Sequence, residues 1–357
     1  MNVGLYIHFP FCLSKCFYCK FFSVRFKDAL YSKYIEKLIS DIKLLNQLPE
    51  FEEYKIDTVY FGGGTPSLID IRDLDRILNE IFRYKNTQIK EITLEVNPKT
   101  VEDFRLYKEI GITRISLGIQ NFNDNVLKFL GRVHSKEDNI KTLELLSREY
   151  DNFSIDIIYN IPGFNNKKLV DDAIFYIKKF KIPHASFYEL TIEEGTKFYK
   201  DNIKIDEEEF DYLYDYIDMK LRELGFIHYE VSNYGERGYF SIHNIKYWRR
   251  EYYIGLGPAS HSFFKERRFY YSYDFNDFFT NSILDKFKSS NKLNKEEIRE
   301  EEIFLGLRFY EGIDISLVKK EYISFLEKEG FIYIEKNKIK PTIKGWKLFN
   351  SLVYYLI

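Results

Sequence analysis

Cysteine is scarce in this chain, with three residues in 357, and methionine and tryptophan are scarcer, at two each. An odd number of cysteines cannot pair completely, so a disulfide framework is excluded as the source of stability. Neither sign of charge dominates: Lys+Arg 53 stands against Asp+Glu 55, a net charge of -2. That balance offers neither the basic footprint of a nucleic-acid-binding protein nor a polybasic membrane tether. No apolar run approaches the roughly 18 residues of a membrane span. The opening MNVGLYIHFPF has neither the basic start nor the small-residue cleavage site of a signal peptide, so a cytoplasmic protein is expected. What is abundant is Phe (33) and Tyr (30), read here as compositional bias without functional weight. A hydrophobic fraction of 45% supplies a buried core and excludes disorder. The length suggests two domains, or one large domain with an appendage.

Short β-type runs recur, each followed by a helical stretch. Candidate parallel strands are GLYIHF from Gly4, DTVYFG from Asp57, EITLEV from Glu91, RISLGI from Arg114, FSIDIIY from Phe153 and HASFYEL from His184. Between the third and fourth, Thr100 and Asp103 spell a capping box, Phe104, Tyr107 and Ile110 repeat at helical spacing, and Gly111 is placed as a C-cap. Ser135 with Asp138 repeats the capping signal. Six βα units predict an α/β fold, a partial (β/α)6 barrel rather than an open doubly wound sheet. The pattern changes after about Thr191, where an acidic stretch leads into a helix over 212–224. From Asn291 a charge-rich segment reads as a linker into a new helix, and a hairpin is predicted around Glu335–Lys338. The expected division is a barrel core over 1–200, a barrel-completing region over 201–290, and a small helical, winged-helix-like domain over 291–357. The last has no basic face, which argues against DNA.

The three cysteines all fall in Cys12-Leu-Ser-Lys-Cys16-Phe-Tyr-Cys19, just after the first strand. Three soft thiolates on one short loop suit an iron–sulfur cluster or zinc. A closed zinc site wants a fourth ligand, for which His8 is the nearest candidate. One βα unit later, Gly62-Gly63-Gly64-Thr65-Pro66 closes the second strand, and its glycines allow close approach of backbone to a ligand. Polar residues then fall at or near strand carboxyl ends, the functional face of an α/β barrel: Glu95 in the third, Gln120 in the fourth and Asp156 in the fifth. Arg132 follows one helix later and could meet a carboxylate. Each of these alone is as well read as a cap or a buried hydrogen-bond partner; it is their shared register that points to a site.

The cysteine spacing of three then two residues is the signature of radical S-adenosylmethionine (SAM) enzymes. With YIHFPFC, FGGGTPSL, EVNP, SLGIQNFNDNVLKFLGRVH, DIIYNIPG and YEVSNY…HNIKYW…IGLGPASHS, the chain resembles the coproporphyrinogen-dehydrogenase-like branch of that superfamily, from residue 4 to about 265. The resemblance implies a [4Fe–4S] cluster on Cys12, Cys16 and Cys19, with one iron open to SAM. It implies SAM contacts from Tyr6, Tyr18, Gly63, Gly64, Thr65, Glu95, Gln120, Arg132 and Asp156.

Two groups share this scaffold. The dehydrogenases carry a fourth cysteine two residues after the third, where this chain has Phe21, and an amino-terminal extension, where only 11 residues precede Cys12. Both departures, with the motif His243-Asn244-Ile245-Lys246-Tyr247-Trp248, resemble the heme-chaperone group instead. That group's function would be to bind heme and pass it to acceptor proteins, membrane respiratory enzymes among them. The corresponding expectations are a cytoplasmic protein peripheral to the inner face of the membrane, a homodimer, and no nucleic-acid partner. Oxidative decarboxylation of coproporphyrinogen III, or a different radical reaction, are the rival readings. Imidazole is a common axial ligand of heme iron, which makes His243 the candidate heme ligand, with Tyr247 and Trp248 packing on the porphyrin. The bland alternative is a hydrogen-bonded core histidine. His261, in PASHS, is read as pocket lining only, and His8, His134, His184 and His228 carry no case of their own.

Overall fold

A computed structural model describes residues 1–47, 49, 52–83 and 87–357. All six expected strands form, as β1 (Asn2–Phe9), β2 (Lys55–Gly63), β3 (Thr87–Val96), β4 (Arg114–Gln120), β5 (Phe153–Tyr159) and β6 (His184–Glu189). They lie side by side in chain order, each parallel to its neighbours. Five further strands extend the sheet. On the β6 side come β7 (Ile227–Glu230) and β8 (Asn233–Gly235). On the β1 side come β9 (Tyr253–Leu256), β10 (His261–Phe264) and β11 (Arg267–Tyr270). Residues 201–290 therefore supply strands to both edges. β9 is a seventh parallel strand, paired with β1 through Gly4–Tyr253 to Ile7–Leu256. The outermost strands, β7 and β11, do not pair, so the sheet is an open partial barrel.

Alternation along the strands separates two environments. In β4, Ile115, Leu117 and Ile119 are wholly buried toward the helices, while Arg114, Ser116 and Gly118 face the concave side. In β5, Phe153, Ile155 and Ile157 face out, and Asp156 faces in toward Ser116. A barrel filled with branched apolar layers is a packed core. Here the concave side is instead lined by polar residues.

Local signals were followed unevenly. Ser135 and Asp138 form the predicted capping box at the start of the helix Lys136–Glu149. Thr100 and Asp103 do not. The Thr100 hydroxyl donates to the Asn97 carbonyl and pairs with Ser67, and the short helix Arg105–Glu109 begins at Phe104 without a side-chain cap. The pull of Asn97, at the end of β3, outweighs the local cap. Gly111 does take the left-handed backbone of a helix end, with φ 98°.

The carboxyl-terminal segment has its own three-stranded sheet, Ile313–Asp314, Lys338–Pro341 and Ile332–Glu335 in spatial order, and its hairpin is where the sequence predicts it. The charge-rich stretch is mostly helix: Asn294 caps Lys295–Gly306 with a capping box closed by Glu297. This segment packs back on the barrel through Trp346, whose ring lies 4.4 Å from His228 and whose indole N–H donates to Leu307. No helix among the described residues is long and apolar enough to cross a membrane.

Candidate functional site

The cysteine loop leaves β1 at the carboxyl ends of the parallel strands and is held from several sides. Phe11–Cys12 pairs with Val24–Arg25. The Phe17 N–H donates to Leu130, and the Phe17 carbonyl accepts from Phe198. Gly131, at φ 76°, lets the Phe17 ring approach to where a Cβ would stand 2.8 Å away. Phe17 and Tyr18 pack with Phe129 and Phe198 in a second, smaller apolar cluster. The loop is thus fixed by apolar packing rather than by the cysteines themselves.

Cys12, Cys16 and Cys19 are free thiols and half-buried. Thr65 Oγ1 donates to Cys12 Sγ at 3.5 Å, and Arg132 Nη1 donates to Cys16 Sγ at 3.3 Å. Burial pushes the Cys19 thiol up to about 11, and Cys16 and Cys12 add repulsion. A metal centre relieves that penalty, because a bound cation stabilises each thiolate. Among the described residues, no three His, Cys, Asp or Glu side chains converge on one ion. Three soft thiolates on one loop suit an iron–sulfur cluster or zinc. His8 is no fourth ligand here: its Nδ1 meets the Tyr6 hydroxyl at 3.0 Å and its Nε2 the Phe22 carbonyl at 2.9 Å.

Beside the loop, Arg132 also donates to the Asn97 side chain and to the Gly118 carbonyl, and Asn97 donates to Thr65. Tyr18 is paired with the Arg132 guanidinium. Gln120, at φ 63°, brings its amide toward Gly118 and Arg132. Deeper in the lumen, Glu95 accepts from the Tyr60 hydroxyl at 2.9 Å and from the Gly63 N–H at 3.2 Å. Burial, then the nearby Asp156, pushes Glu95 up to about 7. Burial likewise raises Asp156, against hydrogen bonds from Ser186 and Ser116. Tyr6 lies against Gly62 and Glu95. Twelve of the thirteen predicted site residues therefore share one mouth.

The glycine loop works differently from expectation. The Gly64 and Thr65 N–H groups are spent on Phe9 and Phe11 carbonyls. Gly63 has φ 109°, and a Cβ there would stand 2.7 Å from the His8 ring, so a larger residue would strain the turn rather than only block the lumen. Gly62 is the glycine that faces the lumen: its Cβ would meet Tyr60, Glu95 and Tyr6 at 2.9 to 3.1 Å. Sequence reasoning named Gly62 only within the glycine run, without a contact of its own, and passed over Tyr60 and Asn97. The period of two from Thr58 through Tyr60 to Gly62 was the available signal for Gly62 and Tyr60.

His243 lies outside the mouth. It sits on the helix Ile242–Trp248, whose first two N–H groups donate to Glu91 midway along β3. Its Nδ1 meets Thr58 Oγ1 and its Nε2 the Tyr247 hydroxyl, both at 2.8 Å, with no solvent exposure. Burial, then Lys246, pushes it down to about 3, so the ring is neutral. Lys246 in turn pairs with Asp57 at 2.8 Å. The helix closes the amino-terminal end of the barrel. From Thr58 to Gly63 is five residues of strand, about 16 Å. Both imidazole nitrogens being taken, His243 does not serve as an iron ligand in this structure. Trp248 faces Arg308, 4.9 Å from its ring, rather than a porphyrin pocket.

A model of the radical SAM superfamily matches residues 6–175. The heme chaperone HemW of Lactococcus lactis subsp. lactis is 31% identical over 97% of this chain and 95% of its own length. The chain belongs to the HemW family of radical SAM proteins. Another HemW, from Buchnera aphidicola of Acyrthosiphon pisum, is 32% identical over 98% of this chain and 97% of its own. Among solved structures, the radical SAM coproporphyrinogen III oxidase HemN of Escherichia coli superposes with a TM-score of 0.78. It covers 99% of this chain and 89% of its own, at 17% identity, so the fold is shared. Membership of this family implies a [4Fe–4S] cluster and SAM, and the donor set at the mouth of this HemW-family chain fits both.

Proposed function

We propose that this HemW-family protein is a heme chaperone, which binds heme and hands it to acceptor proteins, with a [4Fe–4S] cluster and SAM held at the barrel mouth. The observation that carries the reading is the set of three free thiols with Arg132 and Thr65 donating to two of them, in a chain matched end to end by proteins named heme chaperone. When bound, the cluster supplies an electron-transfer centre and one iron for an external ligand. Cys12, Cys16 and Cys19 would hold the other three irons. Arg132 and Thr65 place N–H and O–H donors on thiolate sulfur, which lowers the local negative charge. Glu95, Asp156 and Tyr6 line the lumen where the SAM amino and ribose groups would be received, with Gln120 and Arg132 nearer the rim and Tyr18 behind the loop. Gly62 lets Tyr60, Glu95 and Tyr6 pack closely over that floor.

Phe21 supports chaperoning over decarboxylation. It stands where the dehydrogenases carry a fourth cysteine, and it is 67% exposed with no ligand chemistry of its own. In the same reading, residues 1–200 form the core, 201–290 complete it and 291–357 form an appended domain. The acceptors include respiratory enzymes at the inner face of the membrane, and the active form is a homodimer in the cytoplasm. The testing experiment is anaerobic reconstitution followed by parallel addition of hemin or of coproporphyrinogen III with SAM and reductant. The reading requires a saturable Soret change with hemin and no protoporphyrinogen IX. Stoichiometric protoporphyrinogen IX would replace it with the dehydrogenase reading. Substituting any one cysteine by Ala should abolish the brown cluster band.

A further inference from the structure

If heme is the cargo, the chain needs an iron ligand, and His243 is engaged elsewhere. The chain has six histidines. Five are at least 95% buried: His8, His134, His184, His228 and His243. Each of the five has at least one ring nitrogen hydrogen-bonded. The sixth, His261, opens β10 with its side chain exposed, and neither ring nitrogen has a hydrogen-bond partner among the described residues. Its ring lies nearly parallel to that of Tyr270, 5.1 Å away at 23°, across the β10–β11 pair. Stacking of that kind fixes the plane of an imidazole without occupying its nitrogens.

The surroundings suit a flat apolar ligand. His261 is near enough to His8 to influence its charge, and His8 holds the Phe22 carbonyl, so β10 borders the end of the cysteine loop. From Tyr270, 52% exposed, the chain runs to Tyr273, 62% exposed, whose ring meets Phe22 edge to face at 6.3 Å. Phe21 adjoins it. Partial burial, then the charge of Arg268, lowers the pKa of His261 and so favours its neutral form. A neutral imidazole is the form that binds iron.

We propose that His261 is the protein ligand to heme iron, with Tyr270 orienting its ring and Phe22 and Tyr273 packing against the porphyrin at the β1-side rim of the barrel. The inference rests on the chaperone reading. It places the cargo beside the cysteine loop rather than at the closed end of the barrel.

The test is a hemin titration of the full-length, cluster-reconstituted protein, comparing wild type with His261→Ala, Tyr270→Ala and His243→Gln. His261→Ala should keep its cluster iron and its melting temperature, because the side chain is exposed. It should lose the imidazole-type Soret position and bind hemin about tenfold or more weakly. Free imidazole should restore the Soret position in that variant. Tyr270→Ala should broaden the band with a smaller loss of affinity, and His243→Gln should keep the wild-type Soret position. An unchanged Soret band and affinity in His261→Ala would overturn the assignment while leaving the chaperone reading intact. Wild-type protein that binds no hemin would sink both.

Discussion

The guanidinium of Arg132 joins the two halves of the mouth: Nη1 donates to Cys16 Sγ at 3.3 Å, while Nη2 reaches Asn97 and Gly118 on β3 and β4. Hydrogen bonds and positive charge at a cluster thiolate raise its reduction potential. Arg132→Met should therefore lower the potential of the reconstituted cluster by tens of millivolts, where about 60 mV is one decade for a one-electron couple. A potentiometric titration followed by electron paramagnetic resonance checks this. No shift would mean that the Cys16 contact is structural only.

Gly62→Ala tests the lumen floor. The added methyl would stand 2.9 to 3.1 Å from Tyr60, Glu95 and Tyr6, so these buried side chains must shift, although the backbone there is not left-handed. SAM affinity measured by calorimetry should fall by about tenfold or more, together with a lower melting temperature from overpacking of about 1–3 kcal/mol. Gly63→Val should lower the melting temperature more, because its φ of 109° and the His8 ring both oppose a side chain.

Glu95 gives a pH signature. Its folded value is raised to about 7 from an ordinary 4.5 by burial and by Asp156. The folded state therefore holds the proton more tightly than the unfolded one. Glu95 costs nothing below pH 4.5, destabilises progressively as pH rises toward 7, and exerts its full cost above that. Glu95→Gln should be more stable than wild type at pH 8, by up to about 3 kcal/mol, and should show a shallower loss of stability between pH 5 and 8. Urea melts of the cluster-free protein across that range provide the comparison.

His243→Ala should destabilise without altering heme spectra. It removes a fully buried ring and leaves Thr58 and Tyr247 without their shared partner. A cost of about 2–4 kcal/mol is expected from the cavity and the two lost hydrogen bonds. Chemical denaturation measures it. A variant as stable as wild type would contradict the barrel-closing role.

Much of this arrangement was legible beforehand because period-two runs and a compact cysteine loop are local signals. The six strands, the Ser135 cap and the gathering of Glu95, Gln120, Arg132 and Asp156 at one mouth all follow from chain order and parallel pairing. What escaped was set by distant contacts. Thr100 joins Ser67, 33 residues away, besides the neighbouring Asn97 carbonyl, and does not cap a helix. His243 looks like a ligand in its motif, and only the fold shows Thr58, 185 residues away, on its Nδ1. β9 was missed because Tyr253–Leu256 is a four-residue run with no alternation to read.

The most direct test of the chaperone account is heme hand-over. Hemin-loaded, cluster-reconstituted protein with SAM would be mixed anaerobically with an apo b-type cytochrome, and the acceptor's Soret band followed in time. The account predicts transfer faster than from hemin–albumin at equal concentration, with the protein returned free of heme. Heme that stays bound, or transfer no faster than from albumin, would contradict it.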